Sequence, residues 1–129
     1  EKPVMLKLAG SICIVLGLAI GVAHAADSPC LATSGRMLDH LDHGDYIAAA
    51  ADFNARMKAA LGADRLARMW PAVAKQFGPR GVHDQATLSQ VNGYAVVITP
   101  LHYGQHVIDA RVVCEADGKV AGFFIKPHH

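Results

Sequence analysis

Apolar side chains recur at helical spacing through the first half of the chain and alternate with polar ones through the second, so the pattern predicts helices followed by strands. Leu31, Met37, Leu38 and Leu41 fall close to one face of a first helix, which Thr33 or Ser34 caps and Gly44 ends. Asp45 caps a second, with Ile47, Ala50, Phe53, Met57 and Leu61 on its buried side and Gly62 at its close. Leu66, Met69, Trp70, Val73 and Phe77 mark a third, stopped by Gly78-Pro79. Pro71 lies inside that helix, removes a backbone donor and crowds the preceding turn, which predicts a kink or two short helices meeting at Trp70.

From Ala86 onward the period falls to two. Asn92-Gly93 between Ala86 to Val91 and Tyr94 to Ile98 reads as a hairpin turn, as does Asp117-Gly118 between Val107 to Glu115 and Val120 to Lys126. With Gly104 turning the chain between them, the result is an antiparallel meander of four strands. In the third strand Ile108, Ala110, Val112 and Cys114 form the core face, opposite Asp109, Arg111, Val113 and Glu115. The second strand holds a conflict: Tyr94, Val96 and Ile98 share one face, while Leu101 and Tyr103 sit in the opposite phase beyond Pro100. A bulge at Thr99-Pro100 would reconcile them and bend the strand. The expected fold class is α+β, three helices packed on a strongly curved four-stranded sheet.

Upstream of these elements, Lys7, the apolar run from Leu8 to Ile20 and the small residues of Ala23-His24-Ala25 read as a secretory signal. A membrane anchor fits less well, since the run is shorter than the roughly 20 residues that a spanning helix needs. The expected organisation is upstream residues and a cleaved signal peptide over residues 1–25, then a single α+β domain over residues 26–129, secreted or periplasmic and with no membrane attachment after cleavage. The net charge is +1, and cleavage after Ala25 removes Lys2, Lys7 and Glu1 and brings the balance to zero, which disfavours nucleic acid as a partner. Cleavage takes Cys13 away and leaves Cys30 and Cys114 in an oxidising compartment, where a disulfide is expected. The alternative is that Cys114 is simply a buried apolar residue.

The stretch from Leu41 to Phe124 resembles the small bacterial proteins grouped as domain of unknown function 3887, of the nuclear-transport-factor-2-like (cystatin-like) superfamily. The matching elements are Leu41-Asp42-His43-Gly44-Asp45-Tyr46 leading into Phe53-Asn54, Met69-Trp70-Pro71 with Gly78, Tyr94-Ala95-Val96-Val97 with Thr99-Pro100-Leu101, and Asp117 to Phe124. The resemblance implies a cone-shaped α+β fold and no established chemistry.

Three constellations of polar side chains could carry chemistry, and two apolar surfaces could bind. His40 and His43, three apart beside Asp39, Asp42 and Asp45, offer two metal ligands but no third at a helical spacing, so no metal site is expected. His83, His102 and His106 read as solvated loop residues, with His102 turned outward. Tyr94 and Tyr103 are the polar groups expected to point into the cone, without an inward carboxylate or imidazole for acid–base work. A pocket between helices and sheet lined by Phe53, Met57, Trp70, Leu101, Tyr103 and Phe124 would take a small apolar ligand, although the same residues also describe a packed core. The outer sheet face near Asp109, Arg111 and Val113, with Val97 added by the bulge, is the candidate partner or homodimer surface. The expected function is a non-enzymatic binding or interaction module with no cofactor, its ligand or protein partner unknown. The alternative is a small isomerase- or hydratase-like enzyme using polar groups inside the cone.

Overall fold

The computed structural model describes residues 28–129, so the expected leader lies outside the described residues. Helix α1, Pro29–Asp42, begins with proline in its first turn, where a fixed φ and a missing N–H cost nothing. Ser28 is its N-cap, and Thr33 and Ser34 lie buried on its core face with Cys30, Met37, Leu38 and Leu41 rather than capping it. At its end the Gly44 N–H bonds the Leu41 carbonyl (3.1 Å) and the Asp45 N–H bonds the His40 carbonyl (2.8 Å), the paired closure of a Schellman motif.

The expected second helix is two helices, α2 (Tyr46–Ala49) and α3 (Ala55–Ala60). Asp45 caps the first by accepting from the Ala48 N–H (3.3 Å), and the Asn54 side chain caps the second by accepting from the Met57 N–H (2.8 Å). The break has a tertiary cause. Val120 donates to the Asp52 carbonyl (2.8 Å) and accepts from the Asn54 N–H (2.9 Å), so the chain turns out of the helix and Phe53 bridges to a strand instead of coiling on. Ile47, expected in the core, is 80% exposed as a result. Helix α4, Ala63–Phe77, runs unbroken through Pro71 and buries Leu66, Trp70 and Val73. Packing on both sides of the proline offsets its missing backbone bond.

Five strands follow: β1 (Arg80–His83), β2 (Thr87–Val91), β3 (Tyr94–Tyr103), β4 (His106–Cys114) and β5 (Val120–Pro127). All pair antiparallel, β3 with β4 and β4 with β5, while β1 and β2 both lie along the other side of β3. Strand β1 is an addition to the expected four. It and β2 are two pieces of one edge, interrupted at residues 84–86. Asn92 (φ 51°) and Gly93 (φ 85°) form the two-residue turn whose twist suits a hairpin. Gly104 (φ 57°) turns β3 into β4 directly against the end of α4, and a Cβ there would lie 2.9 Å from the Phe77 carbonyl oxygen.

No bulge occurs at Thr99-Pro100, because β3 stays in register with β4 from Ala95↔Cys114 to Tyr103↔His106. Proline is tolerated there for a different reason. The Pro100 carbonyl accepts from the Asp84 N–H (2.9 Å) on the β1/β2 side, so the missing proline donor faces the interruption in that edge. The phase change sits in β5 instead. Val113↔Gly122 and Cys114↔Val120 leave Ala121 as the extra residue, and that lets Val120 and Phe123, three apart, both reach the core.

Helices and the inner sheet face share one core containing Cys30, Leu41, Phe53, Leu66, Trp70, Val97, Leu101, Tyr103, Ala110, Val112, Val120 and Phe123. The four expected core residues of β4, Ile108, Ala110, Val112 and Cys114, are all buried. Cys30 and Cys114 form a disulfide with Cα atoms 5.8 Å apart, joining the first turn of α1 to the end of β4.

That bond closes a loop of 84 residues in sequence separation, for which chain entropy gives about 4 kcal/mol. Cys30→Ala with Cys114→Ala is expected to lower unfolding free energy by roughly that amount in urea titrations, with the m-value changing as the unfolded chain expands. Thiol titration of the intact protein should find neither cysteine free.

Candidate functional site

The expected apolar pocket is filled. Phe53, Met57, Trp70, Leu101 and Tyr103 are each 8% exposed or less and belong to the shared core. The Trp70 ring meets Tyr103 edge-on at 6.5 Å and Phe123 at 6.3 Å, which is ordinary aromatic packing. Phe124 is not part of this group. It pairs with Arg111 on the opposite face of the sheet and is 48% exposed, and Phe123 takes the inner position. The bulge at Ala121 decides which of the two phenylalanines faces in.

Tyr103 points inward as expected and Tyr94 does not. The inner set on β3 is Ala95, Val97, Thr99, Leu101 and Tyr103, which leaves Tyr94 on the outer face and 43% exposed. Val97, expected on the outer patch, is fully buried in the core. Around Tyr103 the structure gathers charges that the sequence pattern did not suggest. The Arg80 guanidinium lies 5.8 Å from its ring centroid and pairs with Asp42 at 3.1 Å. This contact joins the end of α1 to β1, the strand absent from the sequence reading. Burial pushes the Tyr103 phenol up to about 12, with the Arg80 charge opposing and the Asp42 charge reinforcing the shift. The hydroxyl is buried without a hydrogen-bond partner among the described residues. It is thus a neutral group held away from solvent.

The accessible chemistry lies on the other side of the sheet. A cleft of about 510 Å³ is lined by Asn54, Ala55, Arg56, Tyr94, Val113, Glu115, Ala121, Gly122 and Phe124. Val113 and Gly122, paired across β4 and β5, form its floor. The Phe124 ring lies back over Gly122, where an added Cβ would come within 3.0 Å of the ring, so glycine is what lets this aromatic wall lie flat. Lys126 stands 5.9 Å from the same ring centroid. At the far wall Asn54 does two things, capping α3 and donating to the Glu115 carboxylate (3.1 Å). An apolar floor, two aromatic walls and a polar rim can hold a ligand with one apolar and one polar face.

The histidines are engaged locally. His40 Nδ1 stands 3.8 Å from the Asp45 carboxylate, and His43 Nδ1 is 2.7 Å from the Asp39 carbonyl. Among the described residues no group of three or more His, Cys, Asp or Glu side chains converges as a metal site. His102 turns to the outer face as expected and bonds Asp84 (3.0 Å), and His106 is exposed with its ring edge-on to Phe77 (5.3 Å).

Residues 34–123 match the family described as protein of unknown function (DUF3887). No curated protein and no solved structure matches the chain.

The neutral phenol at Tyr103 makes a pH prediction. Its folded pKa is raised above the unfolded value near 10, so its contribution to stability is complete below pH 10 and is lost as pH climbs from about 10 towards 12. Tyr103→Phe should fold normally and match or slightly exceed the parent near neutral pH, because an unpartnered hydroxyl is removed. Urea titrations at pH 8 and pH 11 should show a smaller loss for the variant than for the parent.

Proposed function

The chain belongs to the family of proteins of unknown function DUF3887, and from that premise we propose that it is an extracytoplasmic, non-enzymatic binding module that engages an apolar ligand or a protein partner through the outer face of its sheet. The observation that carries this reading is the distribution of apolar surface. Val91, Tyr94 and Phe124 are 42%, 43% and 48% exposed on one face, where Tyr94 and Phe124 wall a cleft, while the core between helices and sheet is filled. The disulfide supports an oxidising compartment. Among the described residues no helix is long and apolar enough to cross a membrane. In this reading the fold is a nuclear-transport-factor-2-like cone whose curvature comes from the β5 bulge and the interrupted β1/β2 edge.

The alternative is a small isomerase- or hydratase-like enzyme with Tyr103 as its inner acid, favoured by the Arg80 and Asp42 charges beside that phenol. The binding reading is supported over it by access, since Tyr103 is 1% exposed and the cleft is open.

Thermal-shift screening with small amphipathic aromatics is expected to raise Tm in the parent and not in Phe124→Asp, which should otherwise melt within a few degrees of the parent because its ring is half exposed. Gly122→Ala, which lifts the Phe124 ring, should weaken the response without unfolding the protein. A turnover abolished by Tyr103→Phe would favour the enzyme instead.

A further inference from the structure

A sheet of this kind has two outer edges, and this one guards them unequally. The β5 edge is occupied at Val120 by the backbone of Asp52 and Asn54, and it ends in Lys126 and Pro127. The β1 edge carries the charged Arg80, whose guanidinium bonds the neighbouring Gly81 carbonyl. Charged side chains, proline and covered backbone are the ordinary means of preventing strands from pairing between molecules. Strand β2 has none of them. Its sequence is Thr-Leu-Ser-Gln-Val, every residue is exposed, and among the described residues it pairs with β3 alone.

The hairpin fixes which backbone groups are free. In a two-residue turn of this type the flanking residues, Val91 and Tyr94, exchange hydrogen bonds, and such pairs recur at every second position. Thr87, Ser89 and Val91 therefore direct their N–H and C=O groups to β3, and Leu88 and Gln90 direct theirs to the open side.

We propose that β2 is a self-pairing edge: two copies of the protein join β2 to β2 antiparallel about a two-fold axis through Ser89. In that register Leu88 of each copy exchanges both backbone bonds with Gln90 of the other, Thr87 faces Val91, and Ser89 faces its own counterpart. The strand carries no charge, so no like charges meet across the axis. The contact is self-complementary, as a two-fold interface must be, and two β-branched pairs flank its centre. Pairing at the edge leaves both outer faces open on the same side of one continuous sheet. The inference goes beyond the proposed binding face and does not depend on it.

Sedimentation velocity across a concentration series tests it with three variants. Gln90→Pro removes one outward donor and no β2–β3 bond, and Ser89→Lys sets two positive charges opposite each other on the axis. Each is expected to raise the dimer Kd by at least about tenfold while circular dichroism and Tm stay near the parent's. Phe124→Asp should leave the dimer intact. Amide exchange supplies a readout independent of any variant: the Leu88 and Gln90 N–H groups of the parent should become more protected as protein concentration rises, and that of Ser89 should not. A parent that remains monomeric up to about millimolar concentration, a dimer indifferent to both edge variants, or a dimer dissolved by Phe124→Asp would overturn the proposal. The last of these would indicate association face to face.

Discussion

One alternation governs this molecule. From Tyr94 to Tyr103, β3 sends side chains to the two faces of the sheet without a break in phase, and the strand is flanked on both sides, so its phase is imposed on its neighbours. Ala95, Val97, Thr99, Leu101 and Tyr103 must then be covered by helices, and Tyr94, Val96, Ile98, Pro100 and His102 must look outward. The filled interior, the position of the buried phenol and the composition of the outer cleft all follow from that assignment. A shift of one residue would exchange Tyr94 for Tyr103 inside the core.

What could be read from the sequence was whatever local chemistry decides. The Asn92-Gly93 and Asp117-Gly118 turns, the inward face of β4, the Gly44 helix end and the Cys30–Cys114 pairing each rest on a residue type suited to one backbone geometry or one compartment. What could not be read depends on neighbours distant in sequence. Pro100 looks incompatible with an interior strand until the gap at residues 84–86 is known to lie beside it. Asp52 to Asn54 continue a helical pattern until Val120 claims their backbone. Strand β1 is four residues long and alternates too briefly to announce itself, and without it the Asp42–Arg80–Tyr103 cluster is invisible.

The candidate site was legible in outline and misassigned in detail. The alternation of β4 points Val113 to the outer face, but the sequence pattern puts the aromatic walls in the interior. Tyr94 and Phe124 are out of phase with the expected core because the pattern predicts a bulge in β3, whereas the extra residue is Ala121 in β5. Phase errors of this kind conserve composition and exchange faces, so an apolar count along the strands gives no warning of them. Membership of the DUF3887 family brings no chemistry to correct the choice, so which side chains solvent reaches is what distinguishes the two faces.

The disulfide has a topological consequence for that surface. It closes a covalent ring from Cys30 to Cys114 that contains nearly all of α1, helices α2 to α4 and strands β1 to β4, while among the described strands β5 alone is a tail outside the ring. Nothing covalent holds β5 except the turn at Asp117-Gly118, and its docking relies on β4, the bracket at Val120 and the burial of Phe123. Partial unfolding should therefore begin by peeling this tail from the ring. The tail carries Phe124 and Gly122, so such an excursion would dismantle the cleft while the ring stayed folded. The cleft proposed for binding is thereby placed on the one strand outside the covalent ring.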